Sequence, residues 1–284
     1  MSDVYLLDGA VGTSLWEKSG DDHSPVWQFN LTKREIVKEL LEEYIEAGSE
    51  LVLTNTFGVN RIVADRAGFD TAEVIKAAME ILHEVIDGKV SKRGEPIKGI
   101  LSSGPLTVMV EPYGDMEEDE CFEIYDEIFK AAVPFKPDYL WLQTFMDLNM
   151  QEIAVRAADQ YDIPIFATMS FEKTGKTMFG NSPKDVVEVL GKYKNVCAVG
   201  MNCSVGPDTA VDIIKEFSEC TDMPLIFKPN AGLPIGASGE STIVEADDFV
   251  KKSLPALEYG VKYIGGCCGS NPEYIRKFAA ALGR

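Results

Sequence analysis

Histidine is nearly missing from this chain: His23 and His83 are the only two in 284 residues. That scarcity excludes a metal site built from several imidazoles, and a histidine-based nucleophilic triad would have to use one of these two. His83 falls inside a helical pattern and reads as a helix-surface residue. Basic residues are also scarce, with Lys+Arg 27 against Asp+Glu 46 and a formal net charge of −19. So acidic a chain is not a binder of nucleic acid or of an anionic membrane, since both need clustered Lys and Arg. No apolar run approaches the roughly 18–20 residues of a membrane span. The N-terminus lacks the basic start and long apolar stretch of a signal peptide, so the expected location is the cytoplasm. Six cysteines are too few for a disulfide framework in a chain of this length.

What is present is alternation. Short apolar, β-branched runs occur at residues 4–7, 50–53, 97–101, 138–142, 165–169, 197–201, 225–227 and 261–264. Amphipathic helical patterns separate and follow them, at 32–47, 71–87, 119–135, 148–161, 182–192, 208–220, 246–259 and 272–282. Eight strands alternating with eight helices is the count of an α/β fold closed as a single (β/α)8 TIM barrel. No Ser/Pro/Gly-rich linker divides the chain, so residues 1–284 are expected to form one domain. The acidic stretch at 111–120, after the third strand, is expected as a mobile excursion over the barrel mouth.

The strand exits carry the chemistry. Gly, Thr, Asn and thiol residues collect there, and in a barrel those ends converge on the face where active sites are built. Cys203 ends the sixth strand, and Cys267 and Cys268 end the eighth. Only one strand lies between, so the three thiols can meet over the mouth. Three thiolates suit zinc, and three protein ligands leave a fourth position for substrate. Cys121, Cys197 and Cys220 lie in strand or helix patterns and read as packing residues. A trithiolate zinc is electron-rich and a poor generator of hydroxide. It is suited to holding a fourth sulfur as a thiolate at neutral pH, which points to alkyl transfer onto sulfur rather than hydrolysis.

Five ordered motifs then carry a family resemblance: Asp8-Gly9-Ala10-Val11-Gly12-Thr13, Thr54-Asn55-Thr56-Phe57, Gly200-Met201-Asn202-Cys203-Ser204, Pro229-Asn230-Ala231-Gly232-Leu233-Pro234 and Gly265-Gly266-Cys267-Cys268-Gly269. Together they resemble the homocysteine S-methyltransferase family, above all the homocysteine-binding barrel of cobalamin-dependent methionine synthases. The resemblance implies zinc on Cys203, Cys267 and Cys268, which act in catalysis through the metal. It implies that Asn230 approaches the metal when substrate is absent. It also implies that Asp8, with the turn containing Gly9 and Ala10, binds the amino-acid end of the substrate. Thr54, Asn55, Ser103 and Gln143 complete the expected substrate-binding set.

Two positions depart from the family pattern: Leu53 and Gln143 stand where family members usually carry Glu. Two fewer carboxylates weaken the attraction for an ammonium group, so the pocket reads as tuned for something less cationic than homocysteine. The default expectation is methyl transfer to homocysteine. The alternative is a substrate-side enzyme of a corrinoid system, taking the methyl of an ether, thioether or amine to a cobalamin protein. A non-enzymatic zinc or thiol-binding module is the third reading. The chain ends just after the barrel pattern, so the expected partners are a small-molecule thiol or methyl donor and a separate corrinoid protein. Cobalamin then enters only on that partner, and a homodimer is left open as the assembly.

Overall fold

A computed structural model describes residues 3–21, 24–232 and 243–284. Its strands are β1 (Tyr5–Leu6), β2 (Leu51–Leu53), β3 (Lys98–Ser103), β4 (Tyr139–Phe145), β5 (Ile165–Met169), β6 (Val196–Asn202), β7 (Leu225–Lys228) and β8 (Val261–Ile264). They form one parallel sheet in the order β1-β8-β7-β6-β5-β4-β3-β2. The helices are α1 (Gly12–Ser19), α2 (Phe29–Thr32), α3 (Arg34–Ala47), α4 (Arg61–Ala67), α5 (Thr71–Ile86), α6 (Glu118–Ala132), α7 (Leu148–Ala158), α8 (Pro183–Leu190), α9 (Pro207–Cys220), α10 (Ala246–Ser253) and α11 (Pro272–Ala281). This is the (β/α)8 barrel that the alternation predicts. The short helices α1, α2 and α4 are additions, since four to eight residues show little period.

The helices follow from local chemistry. α3 buries Val37, Leu40, Leu41, Tyr44 and Ala47, a three-to-four spacing that gives one apolar stripe. α8 opens on a Ser182–Asp185 capping box with Pro183 in its first turn. The acidic stretch after β3 divides in two. Glu118–Glu120 is the first turn of α6, where negative charge meets the positive end of the helix dipole. The residues before it form a turn in which Glu111 N–H donates to the Met116 carbonyl.

Two apolar layers hold the barrel. Between sheet and helices lies the larger one, while inside the barrel Leu7, Leu51, Leu53, Ile100, Trp141, Phe166, Ala198, Ile226 and Tyr263 pack together. Strands buried on both faces read as continuous apolar runs, and all five residues of β5 are buried. Closure between β1 and β2 is different in kind. Glu50 N–H donates to the Leu6 carbonyl at 2.7 Å. Two carboxylates replace further ladder bonds: Glu50 Oε2 accepts from Leu6 N–H at 2.9 Å, and Asp8 Oδ2 accepts from Leu53 N–H at 2.8 Å. Arg93 Nε and Arg284 Nη1 neutralise Glu50 at 2.7 and 2.6 Å.

Phe166 is the centre of the inner layer, its ring 4.3 Å from that of Tyr139 and 4.5 Å from that of Tyr263. Phe166→Ala opens a void among rigid strands, and we expect a loss of about 3–5 kcal/mol. Urea unfolding followed by circular dichroism measures it; an unchanged midpoint would show that this layer does not support the barrel.

Candidate active site and metal centre

The exit of β7 acts as a spacer that gathers the thiols. Cys203, just past β6, donates its N–H to the Lys228 carbonyl at 3.0 Å. From the other side, Cys267 N–H donates to the Pro229 carbonyl and Ala231 N–H to the Cys268 carbonyl, both at 2.8 Å. Cys203 and Ser204 take left-handed backbone, φ 67° and 62°, which turns the chain sharply enough to aim the Cys203 sulfur at the eighth exit. Gly269 has φ 81°, and a Cβ there would lie 2.1 Å from the Gly232 carbonyl oxygen, so only glycine lets the two exits touch.

The result is a cluster whose three sulfurs lie within 4.8 Å of one another, with Cys203 Sγ to Cys268 Sγ at 3.8 Å. Hydrogen bonds from Cys203 and Cys268 hold the Cys267 thiol well below the ordinary thiol range despite its burial, and the Lys228 charge acts in the same direction. Contact with the Cys267 and Cys268 sulfurs, with burial added, pushes the Cys203 thiol up. Such a trio is prepared to exchange its protons for a metal ion. Cys121 and Cys197 are unlike them: burial pushes their thiols up to about 12 and about 11.

A cavity of about 380 Å³ opens beside the cluster. Gly9, Ala10, Thr54, Asn55 and Gln143 line it together with Cys203, Cys267 and Cys268, so most of the expected substrate set is brought to one place. Three expected residues are placed elsewhere. Ser102 lines the cavity and Ser103 does not, because successive strand residues face opposite sides of the sheet. Asn230 is off the wall, and its Oδ1 is buried with no hydrogen-bond partner. Asp8 is fully buried and off the wall, with both carboxylate oxygens engaged inside the protein. One meets Leu53 N–H, and the other meets Lys228 Nζ at 2.6 Å. Burial pushes the Asp8 carboxyl above its usual range, and Lys228 opposes that.

The turn and helix next to Asp8 are partly committed as well. Ala10 N–H donates to Ser270 Oγ at 3.2 Å, while α1 begins without a side-chain cap and presents Gly12 and Thr13 to the cavity. An uncapped helix start suits a carboxylate. Gln143 Nε2 donates to Ser102 Oγ at 2.6 Å. It stands at a register shift between β4 and β5, where Thr144 is left-handed at φ 63°. Asn202 locks that backbone: its Oδ1 accepts from Thr144 N–H at 2.8 Å and from Thr168 Oγ1 at 2.6 Å.

Lys228 escapes sequence reasoning. It lies in an apolar strand, lines the cavity, and has a side chain only 4% exposed. A lysine closing a buried strand just before Pro-Asn is a visible signal, because lysine is almost never buried without a partner. His83, for its part, stands on α5 with its Nε2 2.7 Å from the Phe135 carbonyl oxygen, away from the cavity. His23, Leu233 and Pro234 lie outside the described residues.

The model of one family, homocysteine S-methyltransferase, matches residues 5–282. The chain belongs to the homocysteine S-methyltransferase family. It is 29% identical over 301 residues to a methionine synthase of Mycobacterium leprae and 28% identical over 299 to one of Mycobacterium tuberculosis. Those alignments cover 99% and 98% of this chain but 24% of each relative, so the chain spans about a quarter of their length. Among solved structures, the metallated homocysteine methyltransferase MmuM of Escherichia coli superposes with a TM-score of 0.83 at 19% identity, covering 98% of this chain and 96% of that one. Among the described residues, no helix is long and apolar enough to cross a membrane.

Asn202→Ala leaves Thr144 N–H and the Thr168 hydroxyl without their acceptor. We expect a loss of about 1–3 kcal/mol of stability, together with weaker metal retention because Asn202 Nδ2 also points to Cys267 Sγ at 3.9 Å. Thermal unfolding and metal analysis of the purified variant check both parts.

Proposed function

We propose that this chain is a zinc-dependent methyltransferase that places a methyl group on the sulfur of a thiol substrate, with homocysteine the reference acceptor. The observation that carries this reading is the three-thiol cluster on the wall of the cavity, held by two strand exits. Three sulfurs each about 2.3 Å from one tetrahedral ion stand about 3.8 Å apart, and the Cys203–Cys268 separation is 3.8 Å. The donor set is all sulfur, which favours zinc over harder ions. When bound, zinc supplies one thing: it keeps an incoming thiol deprotonated without a general base.

The protein's own groups do the rest. Cys203, Cys267 and Cys268 hold the ion, and the exit hydrogen bonds fix their directions before substrate arrives. The α1 start receives a substrate carboxylate, and Gln143 and Thr54 offer uncharged hydrogen-bond partners along the wall. The apolar side chains of Val26, Trp27 and Phe57 exclude water from the reacting sulfur. The sulfur lone pair then forms the S–CH3 bond as the donor–CH3 bond breaks in line, and that electron pair stays with the donor.

Delivery of the methyl group favours a separate carrier, and a corrinoid protein is the donor we propose. Eight of the nine large hydrophobic residues exposed among the described residues lie between a strand's C-terminal end and the helix that returns from it. They include Met109, Tyr113, Met146 and Met178, and they ring the face into which the cavity opens. Scattered exposure would not select one face. A second reading, removal of a methyl from an ether or thioether to the corrinoid carrier, gains support from one observation: no Asp or Glu lines the cavity among the described residues.

The experiment is metal analysis and methyl transfer on the same preparations. Purified protein should hold one zinc per chain and convert homocysteine to methionine with methylcobalamin, free or carried on a corrinoid protein. Single Cys203→Ala, Cys267→Ala and Cys268→Ala variants should keep the barrel's circular dichroism and lose both zinc and activity. Full zinc in all three variants would remove the assignment.

A further inference from the structure

We infer that Lys228 is a specificity-determining residue and that the preferred thiol of this site is a carboxylic acid without an ammonium group. The inference rests on the methyl-to-thiol reading above and names the acceptor class within it. It starts from the orientation of a buried pair. Lys228 Nζ meets Asp8 Oδ1 at 2.6 Å and the Gly9 carbonyl at 3.2 Å. Lysine carries three N–H donors, so two are used and one has no acceptor among the described residues. Asp8 cancels the charge overall, yet Lys228 lines the cavity and Asp8 does not. An occupant therefore meets the cationic end of the pair.

Nothing on the wall offsets this for an ammonium group. Lys228 is the only Lys, Arg, Asp or Glu side chain on the cavity among the described residues. Its Nζ lies 5.3 Å from the ring centre of Trp141, on the strand that presents Gln143 two residues later on the same face. Gln143 already spends an N–H on Ser102 Oγ, and its amide carries no charge. A substrate ammonium entering here would give up water for uncharged acceptors only, while facing a cation in a low-dielectric cavity. A carboxylate suffers neither penalty, because the uncapped start of α1 and the free N–H of Lys228 both favour it. Trp27, Val26 and Phe57 supply apolar contact for the carbon chain that joins carboxylate to sulfur.

The test reads thiol binding rather than turnover. Protein loaded with cobalt(II) in place of zinc is titrated with homocysteine, with 4-mercaptobutyrate, which lacks only the amino group, and with propanethiol, which lacks the carboxylate too. The sulfur-to-cobalt charge-transfer band reports each Kd. We expect 4-mercaptobutyrate to bind about tenfold or more tighter than homocysteine. Gln143→Glu should shift that ratio toward homocysteine by about tenfold, because it supplies a charge-assisted partner for the ammonium. Lys228→Gln should weaken 4-mercaptobutyrate by a larger factor than propanethiol, whereas general damage to the site would weaken both alike. Should Lys228→Gln fail to fold, Gln143→Glu, at the wall, still decides the matter. Homocysteine binding as tightly as 4-mercaptobutyrate in the wild type, or a ratio that Gln143→Glu does not move, overturns the inference while leaving the methyl-to-thiol reading intact. A band that none of the three thiols alters overturns both.

Discussion

A single carboxylate, Asp8, joins three strands at the mouth of this barrel. It belongs to the turn after β1, accepts the Leu53 N–H from β2, and pairs with Lys228 of β7. β1 has only two residues in regular pairing and makes no ladder with β2, so the seam needs other bonds. Glu50 supplies them at the opposite end with Arg93 and Arg284, and Asp8 supplies them here. Removing either partner of so deeply buried a pair leaves an uncompensated charge, at a cost of about 3–5 kcal/mol. Asp8 is thereby occupied with closure. Its place in the motif beside the Gly9–Ala10 turn fits that duty.

Lys228 makes the seam and the thiol cluster interdependent. Its side chain serves Asp8 while its carbonyl accepts the Cys203 N–H, and the next residue, Pro229, accepts from Cys267. The distance between the cysteine-bearing exits is thus set by one short stretch of β7, whose own position is fixed by Asp8. The backbone hydrogen bonds thereby fix the directions of the three sulfurs without help from any bound group. It also explains the close contact of Gly269 with Gly232: no side chain fits between exits drawn together this tightly.

Much of this was legible in the sequence. The fold was, because eight apolar runs and eight amphipathic patterns repeat at barrel spacing, and β5 and β8 fall at the expected residues. The thiol trio was, because Cys203 and Cys267–Cys268 end strands two places apart in barrel order. Side-chain direction was not. A strand's inward parity depends on where its pairing begins, so Ser103 was expected where Ser102 stands. The role of Asp8 was hidden for another reason. Its partners Lys228 and Leu53 are 220 and 45 residues away, and no local period records a contact of that range. α1, α2 and α4 are too short to declare themselves by pattern, yet α1 carries the uncapped start that faces the cavity.

The two ends of the barrel divide the work by chemistry. At the lower end Tyr5, Tyr139, Phe166 and Tyr263 stack, and their ordinary requirement is packing. Trp141 forms the boundary layer: it packs edge-on against Phe166 below, and its indole N–H donates to Thr168, which in turn donates to Asn202 beside Cys203. Core packing is thus passed upward into the orientation of the sixth exit. The electrostatics run the same way, since the Lys228 charge lies near both Trp141 and Cys267. A cation placed there lowers the energy of thiolate sulfur, and the same charge raises the energy of any ammonium that enters the cavity. Support for thiolate sulfur and an electrostatic penalty on any ammonium in the cavity therefore come from one buried lysine, and no substitution at 228 separates them while keeping the charge that Asp8 requires.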